Sequence, residues 1–197
     1  MFLPMLRRFL LVLTFVLGST CFLIAQGSTV PMPLGHTEQD TKSADVREFV
    51  SRYCRLDYEG DRLDEKGWAK IQPLVAWRSN PEYAEINVIA RYTVDTDPPS
   101  NKGKFAVTVH YRLLGSYNLV TGYVPEPTDQ TVEYTVTDTN GDLQITDSEN
   151  NLPHPSRATM LKWLNDRLNA TQDEKEKSRY QEALKQLQAQ PASPFAK

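Results

Sequence analysis

The chain of 197 residues is poor in the residues on which most catalytic sites depend. It contains two cysteines, three histidines and nine glycines. His36, His110 and His154 lie far apart, and their spacing to the cysteines is not that of a metal site. The chain contains neither a G-x-S-x-G motif nor a glycine-rich phosphate loop. These absences argue against a metal hydrolase, a serine hydrolase and a nucleotide-binding enzyme, and the sequence predicts no cofactor.

The charge is mixed in sign and sums to −3. A nucleic-acid-binding domain needs a basic face to meet the phosphates. The sequence therefore predicts no nucleic-acid partner.

The first residues have the layout of a secretory signal peptide. Arg7 and Arg8 precede an apolar run, residues 9–25, and small residues then lead to a cleavage position after Gly27. The pattern predicts that residues 1–27 are removed and that the protein is exported to the periplasm or the extracellular space. The alternative is an uncleaved anchor, and only in that case is the membrane a partner.

Four segments follow from the composition and periodicity of the chain. Residues 1–27 are the signal peptide, and residues 28–42, with two prolines and no periodicity, are predicted to be a flexible leader. Residues 43–153 are predicted to be an α+β domain. Residues 154–197 are predicted to be a helical extension, with Ser156 and a Thr171–Glu174 capping box beginning its two helices.

The domain is predicted to start with two helices. An apolar stripe at helical spacing predicts a helix from about Ser43 to Gly60. The residues of this stripe are Val46, Phe49, Val50, Tyr53 and Cys54. A second helix is predicted between Leu63 and Gln72, where Trp68 faces inward and Pro73 ends the helix.

Alternation of apolar and polar residues then predicts antiparallel strands. The main strands are expected at 84–95, 104–114, 130–137 and 142–147, with one more at 117–124. The dipeptide Asn140-Gly141 is the strongest hairpin signal in the chain.

The stretch VREFVSRYCRLDYEGDRLDEKGWAKIQPLVAW and the strands after it resemble the nuclear transport factor 2-like superfamily over about residues 44–147. The resemblance implies N-terminal helices packed on a curved antiparallel sheet in a cone, here with extra C-terminal helices. It includes no catalytic motif. Members of the superfamily range from isomerases and dehydratases to ligand-binding and scaffolding domains, so the resemblance leaves the function open.

Asp57 continues the apolar stripe of the first helix and is the weak catalytic candidate. A carboxylate buried under aromatic residues could act as a general base. The alternative is that Asp57 lies in the last helical turn and meets Arg55, Arg62 or a backbone amide. Cys54, on the same stripe, is predicted to pack in the core.

Aromatic residues dominate the predicted inner faces. The predicted binding residues are Tyr53, Asp57, Trp68, Tyr92, Tyr111 and Tyr134, since tyrosine hydroxyls at one depth can line a polar-tipped pocket. The alternative is a tyrosine-rich core whose hydroxyls reach the rim.

The sequence thus predicts an exported, non-enzymatic domain that binds a small amphipathic ligand or a protein partner. One alternative is an enzyme of the isomerase or dehydratase type with Asp57 as base and a tyrosine hydroxyl as oxyanion donor. Another is a structural scaffold with a filled core. A weakly charged outer sheet face also suggests a homodimer through the sheet, and its residues are Ile89, Ala106, Thr108, Thr131 and Thr135.

Overall fold

The computed structural model of the chain describes residues 38–96 and 103–191. These ranges form an α+β fold with four α-helices and a four-stranded antiparallel sheet. The predicted signal peptide, most of the predicted leader, Cys21 and His36 lie outside them. No helix within the two ranges is long and apolar enough to cross a membrane.

The helices and strands have the following bounds in the structure. The helices are α1 (Glu38–Tyr58), α2 (Glu65–Ile71), α3 (Arg157–Ala170) and α4 (Glu174–Ala189), and a 3-10 turn, Gln72–Leu74, follows α2. The strands are β1 (Glu85–Thr96), β2 (Lys104–Asn118), β3 (Gly122–Thr139) and β4 (Asp142–Ser148), with neighbours in chain order paired in the sheet.

The starts of the first three helices differ in how closely they match the prediction and in how they are capped. Helix α1 begins at Glu38, ahead of the predicted start near Ser43 and inside the segment predicted to be a leader. Asp64 caps α2 by accepting a hydrogen bond from the Gly67 N–H. Ser156 caps α3 as predicted, since its hydroxyl accepts from the Thr159 N–H.

Helix α4 is capped differently from the prediction. Asp173 is the N-cap, and its carboxylate accepts from the N–H groups of Lys175 and Glu176. Thr171, predicted to begin the capping box, instead donates its hydroxyl to Glu176 at 2.7 Å. The carboxylate nearer to the helix start takes the capping role because it reaches two backbone donors at once.

The predicted hairpin turn at Asn140-Gly141 is confirmed. Both residues have positive φ, 58° and 96°, as a tight turn between β3 and β4 requires. The predicted additional strand at 117–124 is not a separate strand. Its two ends belong to β2 and β3, and the residues between them form the turn that joins these strands.

A bulge in the middle of β1 makes the predicted alternation of that strand wrong. Ile89 lies opposite Leu113 and Arg91 lies opposite Arg112, so Ala90 has no opposite residue. Side chains before and after Ala90 consequently exchange faces. Ile89, predicted on the outer face, is completely buried in the core beneath α1.

The sheet carries a core on each face. Helix α1 covers one face, and its apolar side chains form a core there with inward residues of all four strands. The α3–α4 hairpin packs on the other face, against Ile86 and Val88 of β1 and Leu114 and Tyr117 of β2. The extension from residue 154 is therefore part of the folded body. We call the face beneath α1 the inner face and the opposite one the outer face.

Candidate functional site

The last turn of α1 brings Asp57 into the interior, where 1% of its surface is exposed. One carboxylate oxygen accepts a hydrogen bond of 3.0 Å from the His154 backbone N–H. The other has no hydrogen-bond partner in the described part of the chain. Asp57 therefore combines features of both predicted alternatives, since it points inward and meets a backbone amide.

His154 reaches Asp57 from the segment between β4 and α3. The prolines on either side favour an extended backbone, and the segment lies along β1, where the Asn87 and Ile89 N–H groups donate to the Pro153 and Pro155 carbonyls. This arrangement directs the imidazole into the core, where 1% of the residue is exposed.

The two ring nitrogens of His154 face different polar groups. Nδ1 lies 3.4 Å from the Asp57 carboxylate, and Nε2 lies 3.2 Å from the Gln130 amide oxygen. The Tyr111 ring stacks on the imidazole at 4.0 Å with an interplanar angle of 6°. The histidine is thus fixed by contacts on its edges and on one face.

A second buried charge holds the same segment. Arg62, also 1% exposed, donates to the backbone carbonyls of Asn151 at 2.5 Å and Leu152 at 3.1 Å. Its guanidinium also lies 3.4 Å from the Tyr53 hydroxyl. We refer to Asp57, Arg62, Gln130 and His154 together as the polar latch, because they fasten residues 151–154 to the end of α1 and to the sheet.

Three predicted binding residues fill the space beside the polar latch. Tyr53, Tyr111 and Tyr134 are each at most 2% exposed. The Tyr111 hydroxyl lies 3.0 Å from that of Tyr134 and 3.6 Å from the Cys54 sulfur. The Tyr53 and Tyr134 rings make an edge contact at 5.6 Å. The predicted core position of Cys54 is confirmed.

Burial determines the protonation of these groups. It raises the pKa of the Cys54 thiol to about 12 and raises the pKa of Tyr53, Tyr111 and Tyr134 above its ordinary range. The thiol and the three hydroxyls are therefore neutral at neutral pH. A nucleophilic cysteine needs the opposite shift and access to solvent.

The remaining two predicted binding residues, Trp68 and Tyr92, lie at the margin of this core and are half-buried. The centroid of the Tyr92 ring lies 5.8 Å from that of Tyr58 and 6.4 Å from that of Tyr111. Tyr92 also lines an open cleft of about 470 Å³ beside α1, which we call the α1 cleft. Its apolar residues are Phe49, Tyr92 and Leu143, and its polar residues are Asp45, Glu48, Ser51, Arg52 and Arg55.

A carboxylate, an imidazole and tyrosine hydroxyls in contact can in principle move protons. In this arrangement, however, the Asp57 carboxylate accepts a hydrogen bond from the His154 backbone, and both side chains are only 1% exposed, so a substrate could reach them only if the inner face opened. Their contacts account for a structural role.

Two members of the polar latch, His154 and Gln130, were not predicted from the sequence, and Arg62 was predicted only as a possible partner of Asp57. The prolines beside His154 were a local signal, since they restrict the backbone and hence the direction of the ring. Nothing local to Arg62 or Gln130 distinguishes them from solvent-exposed residues, because their partners are distant in sequence.

Comparison of the chain with protein-family models, with curated proteins and with solved structures finds no match in any of the three.

Proposed function

We propose that the protein is an exported, non-enzymatic domain that binds a small amphipathic molecule in the α1 cleft. One contrast carries this proposal. The chemically capable side chains of the inner face are buried against one another, whereas Tyr92 lies in an open cleft with apolar and charged walls. Concave sites of this size with a few polar groups are typical of small-molecule binding.

The cleft residues fit a ligand with one apolar and one polar end. Phe49, Tyr92 and Leu143 can cover an apolar body, while charged side chains of α1 line the rim. No hydrogen bond or ion pair joins Arg52 or Arg55 to another residue within the described ranges. Their guanidinium groups are therefore available to a polar ligand group.

The cone-like arrangement implied by the resemblance also supports this site. Helix α1 contacts β1, β2 and β4, which include both edge strands of the sheet. A helix that contacts both edge strands of a sheet can leave clefts along its sides. We therefore propose the cone-like fold as the framework of the binding site.

The experiment is a thermal-shift titration of the full chain with sodium decanoate and with decyltrimethylammonium chloride, kept below their micellar concentrations. A ligand at about 100 times its dissociation constant adds about 2.7 kcal/mol to the free energy of unfolding. Tyr92→Ala should abolish the shift. Tyr83→Ala, which removes a half-buried tyrosine beside the α3–α4 core, is the matched control and should retain it.

Equal shifts in Tyr92→Ala and in the parent protein would place binding elsewhere. The absence of any shift would favour the scaffold with a filled core, and the search would then turn to protein partners.

A second candidate function rests on the 3.4 Å approach of His154 Nδ1 to the Asp57 carboxylate. An isomerase or dehydratase would have to open the inner face to bring a substrate to this pair. Cys54 reports such opening, because it lies beside Tyr111 and is buried in the closed form. If added amphipathic molecules accelerate labelling of Cys54 by a thiol reagent in a Cys21→Ser chain, the enzyme gains support.

A homodimer through the sheet is the remaining proposal. Ala106, Thr108, Thr131 and Thr135 lie on the outer face at strand positions that alternate with core residues. Sedimentation that stays monomeric at high concentration would contradict this dimer.

A further inference from the structure

Two arginines lie directly opposite each other on the outer face. Arg91 of β1 and Arg112 of β2 are register partners, so their side chains leave the same face of the sheet side by side. Like charges in this relationship oppose strand pairing. The bulge at Ala90 creates the relationship, because it shifts the register between Ile89 and Arg91. Bulges are frequent next to functional sites, where they redirect side chains.

The carboxylates nearby do not balance both arginines. Asp129, opposite Arg112 on β3, binds that guanidinium at 2.7 Å. Asp95 lies 3.4 Å from His110. Within the described part of the chain, no hydrogen bond or ion pair joins Arg91 to another residue. Among the residues that the structure describes, Arg91 thus has no anionic partner, whereas Arg112 has Asp129.

The pair lies in a second open cleft of about 470 Å³. It is lined on the outer face by Arg91, Thr93, His110, Arg112, Asp129 and Thr131, which we call the outer-face cleft. The His110 Nδ1 atom lies 3.1 Å from the Thr131 hydroxyl. Two guanidinium groups, an imidazole, two hydroxyls and the Asp129 carboxylate that pairs with Arg112 therefore line one concave surface.

We propose that the outer-face cleft binds an oxyanion, carboxylate or phosphate, carried by a small molecule. The guanidinium groups of Arg91 and Arg112, whose side chains leave the same face at paired strand positions, would hold it, with the hydroxyls of Thr93 and Thr131 as further donors. Guanidinium groups match the planar geometry of such anions and bind them in bidentate fashion. An anion between them would also remove the repulsion that the register imposes. This site lies on the opposite face of the sheet from the α1 cleft and does not depend on it.

The test measures the melting temperature of the full chain while sodium chloride is replaced, at constant ionic strength, by sodium phosphate or by sodium malonate. The two arms distinguish phosphate from carboxylate. We expect a saturable rise in at least one arm. Arg91→Gln should abolish that rise, while its melting temperature in chloride alone should equal or exceed that of the parent.

The matched control is Arg78→Gln, because Arg78 is exposed and lies outside both clefts. It should respond to the anion as the parent does. The proposal is overturned if neither anion raises the melting temperature up to about 50 mM. It is also overturned if Arg91→Gln retains the full response, because the anion then acts elsewhere or only through the solvent. Failure here leaves the α1 cleft untouched, since that site is tested with a different variant.

Discussion

The carboxylate of Asp57 accepts a hydrogen bond of 3.0 Å from the backbone N–H of His154, although 97 residues separate them in the chain. The bond fastens the connection between the sheet and the C-terminal helices to the end of the first helix. Arg62 does the same for the two residues before Pro153. The polar latch therefore joins segments from the start, middle and end of the described chain, and it should form only with the complete fold.

Asp57→Asn should lower the free energy of unfolding. The variant removes the negative charge beside His154 and leaves the Arg62 guanidinium buried with less compensation. We expect a loss of about 2 kcal/mol, measured by urea denaturation at neutral pH. Asp166→Asn, an exposed position on α3, should change nothing. A gain in stability would instead show that Asp57 costs stability and is kept for a function.

Tyr111→Phe should cost about 1 kcal/mol. It removes the hydroxyl that meets Tyr134 and Cys54 but keeps the ring that stacks on His154. Tyr83→Phe is the control, since no hydrogen bond of the Tyr83 hydroxyl occurs in the described structure. Equal unfolding midpoints for Tyr111→Phe and the parent would mean that the buried hydroxyl contacts contribute no net stability.

Stability should fall as the pH rises above 9. In the unfolded chain the Cys54 thiol loses its proton near pH 9, whereas burial raises the pKa of the folded thiol to about 12. Between these values the unfolded state binds fewer protons, so deprotonation favours unfolding. From pH 8 to pH 10 this contributes a loss of about 1.4 kcal/mol.

The urea midpoints of the parent and Cys54→Ala at pH 8, 9 and 10 measure this loss. The variant lacks the titrating thiol, and its stability should change less over the same interval. Parallel curves for the two proteins would contradict the assignment to Cys54. Above pH 10 both proteins should lose stability, because burial also raises the pKa of Tyr111 and Tyr134.

Gly67→Ala should destabilise the protein, although alanine is the better helix former. A Cβ atom at position 67 would lie 2.4 Å from the Cα and carbonyl oxygen of Asp61. Relieving this overlap requires the backbone to move, and we expect a loss of about 2 kcal/mol in place of the gain of about 1 kcal/mol that helix propensity alone predicts. Lys66→Ala, on the exposed side of α2, is the control in the same denaturation experiment.

Local pattern was sufficient for much of the fold. Helical spacing from Val46 to Cys54 predicted α1, and alternation from Phe105 to Leu113 predicted the inner face of β2. Asn140-Gly141 predicted its turn because the conformation there depends on residues that are neighbours along the chain, these two and Asp138, which accepts from the Gly141 N–H. The bulge at Ala90 escaped prediction, since it is a property of the pairing of β1 with β2.

The inward position of Asp57 could also be predicted from the sequence, because a helix repeats its faces regularly along the chain. Its contact with His154 could not be predicted. His154 lies in a connection with no periodicity, and its ring finds Asp57 only after the sheet has brought the tail back to α1. For the same reason, the sequence could place the tyrosines on inner faces but could not show whether they enclose a pocket or fill it.

The sequence by itself determined the elements, the turn between β3 and β4 and the scarcity of catalytic residue types, because these depend on residues that are neighbours along the chain. The tertiary structure decided that Asp57 meets His154, that Tyr53, Tyr111 and Tyr134 close the interior, and that Arg91 faces Arg112. Each of those contacts joins side chains brought together by strand register and helix packing. Such contacts depend on how the whole chain excludes water from two cores, and no short stretch of sequence contains that information.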